Sequence, residues 1–402
     1  GKTGSGKSTL AKMILLAYAR HPKMGILLLD PMGEFSKDLR GRPAGTFGLP
    51  LASLLNDLKK AFTVLTVRNL VLDRWDLFEH ILFASPFFTR LSVPANDNRR
   101  DACSELAHRL RKSGVRLVDL YKPDAFNKSW QLLKDERVQR IFYRSETSRE
   151  RFNNAINDAN PEEFYSQYWR PVAELFRADR PNARTVDQAL RWLLQGPNRP
   201  ILVIDVSKEQ ADGLFWNDHI QALVIQRLLE GLMTEAENHY RENERSLNCL
   251  VMIDEAHRFA PRDLDRDDDA ANSVRATLIN AARTTRKYGL GWLFISQTLA
   301  SIHQEIIQQL RILFFGFGLA LGQEFQSLRQ LVGSLDQALA LYQTFRDPHS
   351  AFDSKSRQYS FMTIGPVSPL SFAGSPLFFN MFNTVEEFLS ANGLTVQTML
   401  PL

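Results

Sequence analysis

The chain opens Gly1-Lys2-Thr3-Gly4-Ser5-Gly6-Lys7-Ser8-Thr9, and this G-x-x-x-x-G-K-[ST] string limits the fold more than any other segment. It predicts a loop whose glycines turn successive backbone N–H groups onto phosphates, followed by a helix from Thr9 to Ala19. The helix N-terminus adds the positive end of its dipole to the same anion site. Gly1, Gly4, Ser5, Gly6, Lys7, Ser8 and Thr9 are thus the predicted nucleotide-binding residues. Lys7 would neutralise the β- and γ-phosphates, and the Ser8 hydroxyl would ligate Mg²⁺.

Such a string can arise by chance, but a correctly ordered partner for it rarely does. The apolar run Cys249–Ile253 ends in Asp254-Glu255 and predicts a buried strand that delivers two carboxylates. Asp254 is placed to hold Mg²⁺ through water. Glu255 is placed to polarise an attacking water, which makes it the candidate general base. The pair points to ATP and Mg²⁺ as cofactors of a hydrolase.

Apolar runs at Gly25–Asp30, Pro200–Ser207, Gly291–Gln297 and Arg311–Phe317 predict further strands. Helical spacing over Trp216–Glu235 and Asn272–Tyr288 places helices between them. That alternation predicts an α/β fold with a mainly parallel sheet covered by helices. A strand intervenes between loop and carboxylates, and polar Gln297 ends the strand after them. This is the RecA-like, additional-strand, catalytic-glutamate plan, with Gln297 as a γ-phosphate sensor. Residues 1–50 and 195–330 form the expected ATPase core. Residues 51–194, where Leu51–Leu72 and Ala102–Leu120 carry helical spacing, form a helical insertion. The C-terminal segment 331–402 is expected to pack on the core or a neighbouring subunit through the aromatics of Ile364–Phe382.

Asp30 and Glu34 stand at a strand end beside the site, where they either order Mg²⁺ water or cap a turn. Cys103 and Cys249 alone give no disulfide framework and suit a reducing cytoplasm. The longest apolar stretch, Ile312–Leu321, is about half the roughly 20 residues of a membrane-spanning helix. A net charge of +4 permits a polyanionic partner. Arg109, Arg111, Lys112 and Arg116 either line a DNA path or form a solvated face. The run Asp263–Asp269 lacks the Gly and terminal Glu of a calcium loop and reads as a solvated loop. His257 reads as part of the turn after the carboxylates. The first residue is Gly and no strand precedes the loop, so the sequence reads as N-terminally truncated.

Four motifs together resemble a known family, the HerA-like hexameric ATPases of the HerA/FtsK superfamily. They are the loop Gly1–Thr9, the strand-turn Leu29–Phe35, the segment Val251–Pro261, and Ala282–Gly289 followed by Phe294–Gln297. Met32 departs from the pattern, standing where the family usually has His, and the family's N-terminal β-barrel is absent. The resemblance implies a homo-hexameric ring with ATP at subunit interfaces. It also implies that Arg283 and Arg286 reach a neighbour's nucleotide, as a trans-acting arginine does. It further implies a motor on double-stranded DNA, working with a NurA-like nuclease or a sirtuin-like or nuclease effector, in DNA end processing or anti-phage defence. A conjugation or type IV secretion ATPase, and an ATP-dependent scaffold for an effector enzyme, are the alternatives.

Overall fold

The computed structural model describes residues 1, 4–41, 49–195, 198–263, 269–333, 335–353, 356–368 and 375–394. Two compact units emerge. The first comprises Gly1–Val64, Leu190–Asp205 and Leu228–Leu402, and the second Leu65–Ala189 and Val206–Arg227.

In chain order the strands are β1 (Gly25–Asp30), β2 (Phe62–Thr66), β3 (Leu70–Val71), β4 (Arg184–Thr185), β5 (Ile201–Asp205), β6 (Cys249–Ile253), β7 (Leu290–Phe294), β8 (Leu313–Gly316), β9 (Ser360–Ile364) and β10 (Leu377–Asn380). The central sheet runs β2-β5-β1-β6-β7, and its β5·β1, β1·β6 and β6·β7 pairs are parallel. β1, β5 and β6 are buried along their whole length, as continuous Ile/Leu/Val runs covered on both faces must be. The predicted α/β, RecA-like plan is therefore the observed one.

Helix α1 (Lys7–Ala19) follows the loop and buries Ala11, Leu15, Leu16 and Ala19 in the core beside β1. Helix α2 (Glu34–Leu39) follows β1, and α3 (Leu51–Asp57) packs Leu51, Leu54 and Leu55 into the same core. Lys12 of α1 pairs with Asp38 of α2 at 2.5 Å, and both side chains are almost fully buried.

The expected helical run over Leu51–Leu72 is broken in the structure. The helix stops at Asp57, Lys59 turns the chain at φ 54°, and the following stretch forms β2 and β3. Phe62-Thr63-Val64-Leu65-Thr66 is rich in β-branched and aromatic side chains, which suit a pleated half-buried surface better than a helix. The Arg311–Phe317 run is a strand as expected, but it joins a separate antiparallel sheet, β10-β9-β8, instead of extending the parallel one.

The second unit is mainly helical around an aromatic centre. Trp169 is fully buried, donates Nε1–H to Leu120 O at 2.8 Å, and meets Phe78, Phe87 and Phe126 at 5.6–5.8 Å between ring centres. Among the basic residues considered for a DNA path, Arg109 pairs with Glu105 at 2.5 Å and Arg116 with Asp119 at 2.6 Å. Arg111 and Lys112 are exposed. The acidic run Asp263–Asp269 and the Ile364–Phe382 segment fall partly outside the described residues.

Candidate active site

Sheet register assembles the site. Asp30 lies opposite Asp205 across β1 and β5, and Leu29 lies opposite Ile253 across β1 and β6, so Asp254 follows on the same rung. Asp254 N donates to Leu29 O at 3.1 Å. Neighbouring strands thus end in Asp205, Asp30 and Asp254 at the carboxyl edge, where open α/β sheets bind ligands. Asp205 was not among the predicted site residues. Its only sequence signal is that a third apolar run also ends in Asp.

These carboxyls have different surroundings. Asp30 is fully buried; its Oδ1 accepts Glu34 N at 3.1 Å and its Oδ2 accepts Ser36 N at 2.8 Å. Ser36 Oγ lies 2.8 Å from both Asp30 Oδ2 and Asp205 Oδ2. One hydroxyl proton serves only one of these carboxyls at a time, so Ser36 bridges the two strand ends. Burial pushes Asp30 up to about 6 against the hydrogen bonds from Ser36, with the charge of Asp205 adding to the shift. Asp30 therefore uses both oxygens at the start of α2, the capping arrangement of its two expected roles.

Asp254 is buried and pushed up to about 8, first by that burial and then by Asp30, Glu255 and Glu34. Lys7 is lowered by burial, while Glu255, Asp254 and Glu34 oppose that shift. Loop lysine and carboxylates therefore share one electrostatic site.

Glu255 has left-handed backbone angles, φ 47° and ψ 44°, which cost a non-glycine residue about 1–2 kcal/mol. That turn aims its carboxylate at the next strand end. Gln297 Nε2 donates to Glu255 Oε1 at 2.6 Å, and His257 Nδ1 lies 3.3 Å from Oε2. Ser296 Oγ gives its proton to Thr298 O at 2.7 Å and lies 3.2 Å from His257 Nδ1. With its hydrogen on Thr298 O, the Ser296 hydroxyl can accept from an Nδ1–H of His257. Burial lowers the His257 pKa, which favours the neutral ring. His257, expected only as a turn residue, is thus in contact with Glu255.

The loop is ready for an anion. Gly4 and Gly6 have φ near +80°, opening the backbone as a side chain could not. Ser5 is buried, and its Oγ has no hydrogen-bond partner among the described residues. A buried orphan hydroxyl inside a phosphate loop fits a polyphosphate. The acidic wall, where Asp30, Glu255 and Glu34 crowd the buried Asp254, fits a divalent cation. Among the described residues no compact cage of three His, Cys, Asp or Glu side chains exists. A Mg²⁺ ion would instead rest on Ser8, on Asp254 through water, and on substrate phosphates.

Arg283 and Arg286 are not brought to Glu255. Both are exposed, and Arg283 Nη1 lies 3.5 Å from Glu305 Oε2. Met32 is also exposed, with its thioether 3.4 Å from Arg258 Nη1.

The family model for the central domain of helicase HerA matches residues 1–208. No curated protein matches the chain. Among solved structures, the genome packaging NTPase B204 of Sulfolobus turreted icosahedral virus 2 with ATP-gammaS is 12% identical, with a TM-score of 0.30, over 48% of this chain and 71% of that one. The bacterial conjugative coupling protein TrwBdeltaN70 with sulphate is 13% identical, with a TM-score of 0.30, over 74% of this chain and 70% of that one. Similarity this low leaves both as likenesses alone.

Proposed function

The chain belongs to the helicase HerA central-domain family, and we propose that it is an ATP-hydrolysing ring motor that acts on double-stranded DNA. Gly1, Gly4, Ser5, Gly6 and Thr9 wrap the polyphosphate, and Lys7 neutralises its β- and γ-groups. Ser8, and Asp254 through water, would hold Mg²⁺, which would supply charge neutralisation across the same phosphates. Glu255 Oε2 takes a proton from the attacking water, and Gln297 holds the other oxygen and senses the γ-phosphate. Arg283 or Arg286 of one subunit enters the site of the next in a hexamer.

The observation that carries this reading is the Glu255 carboxylate, held on both oxygens beside buried Asp254 and sharing its electrostatic site with Lys7. No described helix is long and apolar enough to cross a membrane. The motor reading also takes in a nuclease or sirtuin-like effector bound to the ring. It is tested by measuring ATP hydrolysis and duplex binding across salt. Lys7→Ala should abolish nucleotide binding. Duplex affinity should be sequence-independent and fall steeply with salt, as phosphate contacts demand. Robust hydrolysis with no duplex binding at low salt would sink the motor reading and leave the scaffold.

A further inference from the structure

A turn far along the chain places a side chain on the phosphate loop. A Cβ added to Gly4 would overlap His349 Nε2 and lie 2.6 Å from Cδ2, against 3.7 Å from Cε1. The imidazole therefore presents its Nε2–Cδ2 edge to the Gly4 backbone, and the residue is otherwise exposed. Its mount is well defined. Asp347 Oδ1 accepts His349 N at 2.9 Å, Asp347 O accepts Ser350 N at 3.0 Å, and Pro348 between them is buried. The same C-terminal segment is also anchored at Gly6 of the loop. A Cβ on Gly6 would lie 2.9 Å from Tyr359 Cδ1 and 3.0 Å from Met381 Cε, and both side chains are buried in the core that holds α1.

Backbone N–H groups from Gly4 onward are those that surround a bound polyphosphate in a loop of this sequence. The His349 ring edge thus lies beside the part of the loop whose N–H groups face the phosphates. Nε2 carries a proton in one neutral tautomer and in the imidazolium, so it can donate there. We propose that His349 is a nucleotide-binding residue, donating from Nε2 to the phosphate chain of the bound nucleotide, with Asp347 as the positioning residue that sets its turn. This rests on the reading of Gly1–Thr9 as the nucleotide loop.

The test compares Kd for ATP, ADP and GTP in the wild-type protein, His349→Ala, His349→Gln, Asp347→Ala and Lys7→Ala, with melting temperatures as a folding check. A hydrogen bond to a charged acceptor predicts that His349→Ala weakens ATP and GTP equally, by roughly 10-fold or more. His349→Gln, which keeps a donor at similar reach, should recover part of the loss. Asp347→Ala should weaken binding by less than His349→Ala. Unchanged or tighter binding in folded His349→Ala overturns the proposal, the second outcome meaning that the ring merely covers the loop. A defect confined to ATP against GTP also overturns it, since that would place the contact on the base. Normal binding by Lys7→Ala would instead overturn the underlying loop reading, so the two failures are separable.

Discussion

Gln297 Nε2 donates to Glu255 Oε1 at 2.6 Å, so the side chain expected to sense the γ-phosphate is bonded directly to the candidate base. A base already held in place needs little reorganisation when water arrives. Gln297→Ala should therefore leave ATP affinity within about twofold yet lower kcat by roughly 10²-fold, a typical cost of removing one such preorganised donor. Glu255→Gln should bind ATP and retain only a slow residual turnover. The double variant should be no slower than Glu255→Gln alone, because both substitutions break one unit. Single-turnover rates with fluorescent-nucleotide affinities check all three; additive losses would mean that the two residues act separately.

The exposed arginines make a claim about neighbouring subunits. Arg283→Ala or Arg286→Ala, at whichever position acts in trans, should preserve ATP binding and cut hydrolysis by about 10³-fold or more. Mixing that variant with Glu255→Gln subunits should restore some activity, because some interfaces then pair a good arginine with a good base. Native mass spectrometry verifies that mixed rings formed. Verified mixed rings that stay inactive for both arginines would return these residues to a surface role.

The Lys12–Asp38 pair predicts a stability effect without a direct chemical one. Asp38→Ala leaves a buried ammonium unpaired and should destabilise the protein by about 3–5 kcal/mol. Lys12→Met combined with Asp38→Leu should regain most of that loss, since apolar groups of similar volume need no partner. Urea melts of the single and double variants decide it. A double variant no better than Asp38→Ala would show that the pair contributes specific geometry.

Acidic crowding sets a pH dependence. Asp254 titrates near 8 and Asp30 near 6, both raised mainly by burial. Between an ordinary carboxyl pKa and these values the folded state keeps protons that the unfolded state has released. Their contribution to stability is therefore greatest at low pH and is lost as pH rises, through about 6 for Asp30 and about 8 for Asp254. Metal-free protein should melt at falling temperature between pH 6 and pH 8, and Mg²⁺ with nucleotide should flatten that slope. A melting temperature that climbs over this range in metal-free protein contradicts the assignment.

Contiguous signals in the sequence disclosed the loop, the Asp254-Glu255 strand and the α/β alternation, because apolar runs and glycine spacing act within a few residues. The Leu51–Leu72 stretch misled because leucines and lysines spaced for a helix masked a short β-branched strand at Phe62–Thr66. His257 and Asp205 were visible as residues, but not their contacts, which depend on inter-strand register and on the backbone turn at Glu255. His349 gave no local signal. It meets Gly4 only through the packing of the C-terminal segment, and a single sequence does not encode that neighbour in its order.

Glu255 stands where glycine would be more comfortable, at φ 47°. Glycine occupies that region without a Cβ penalty, and Asn tolerates it better than most side chains. A laboratory selection that rewarded only heat resistance would favour Gly or Asn at 255 and steadily discard the carboxylate. Directed evolution of this chain must therefore couple every round to turnover, or its most thermostable descendants will be inert.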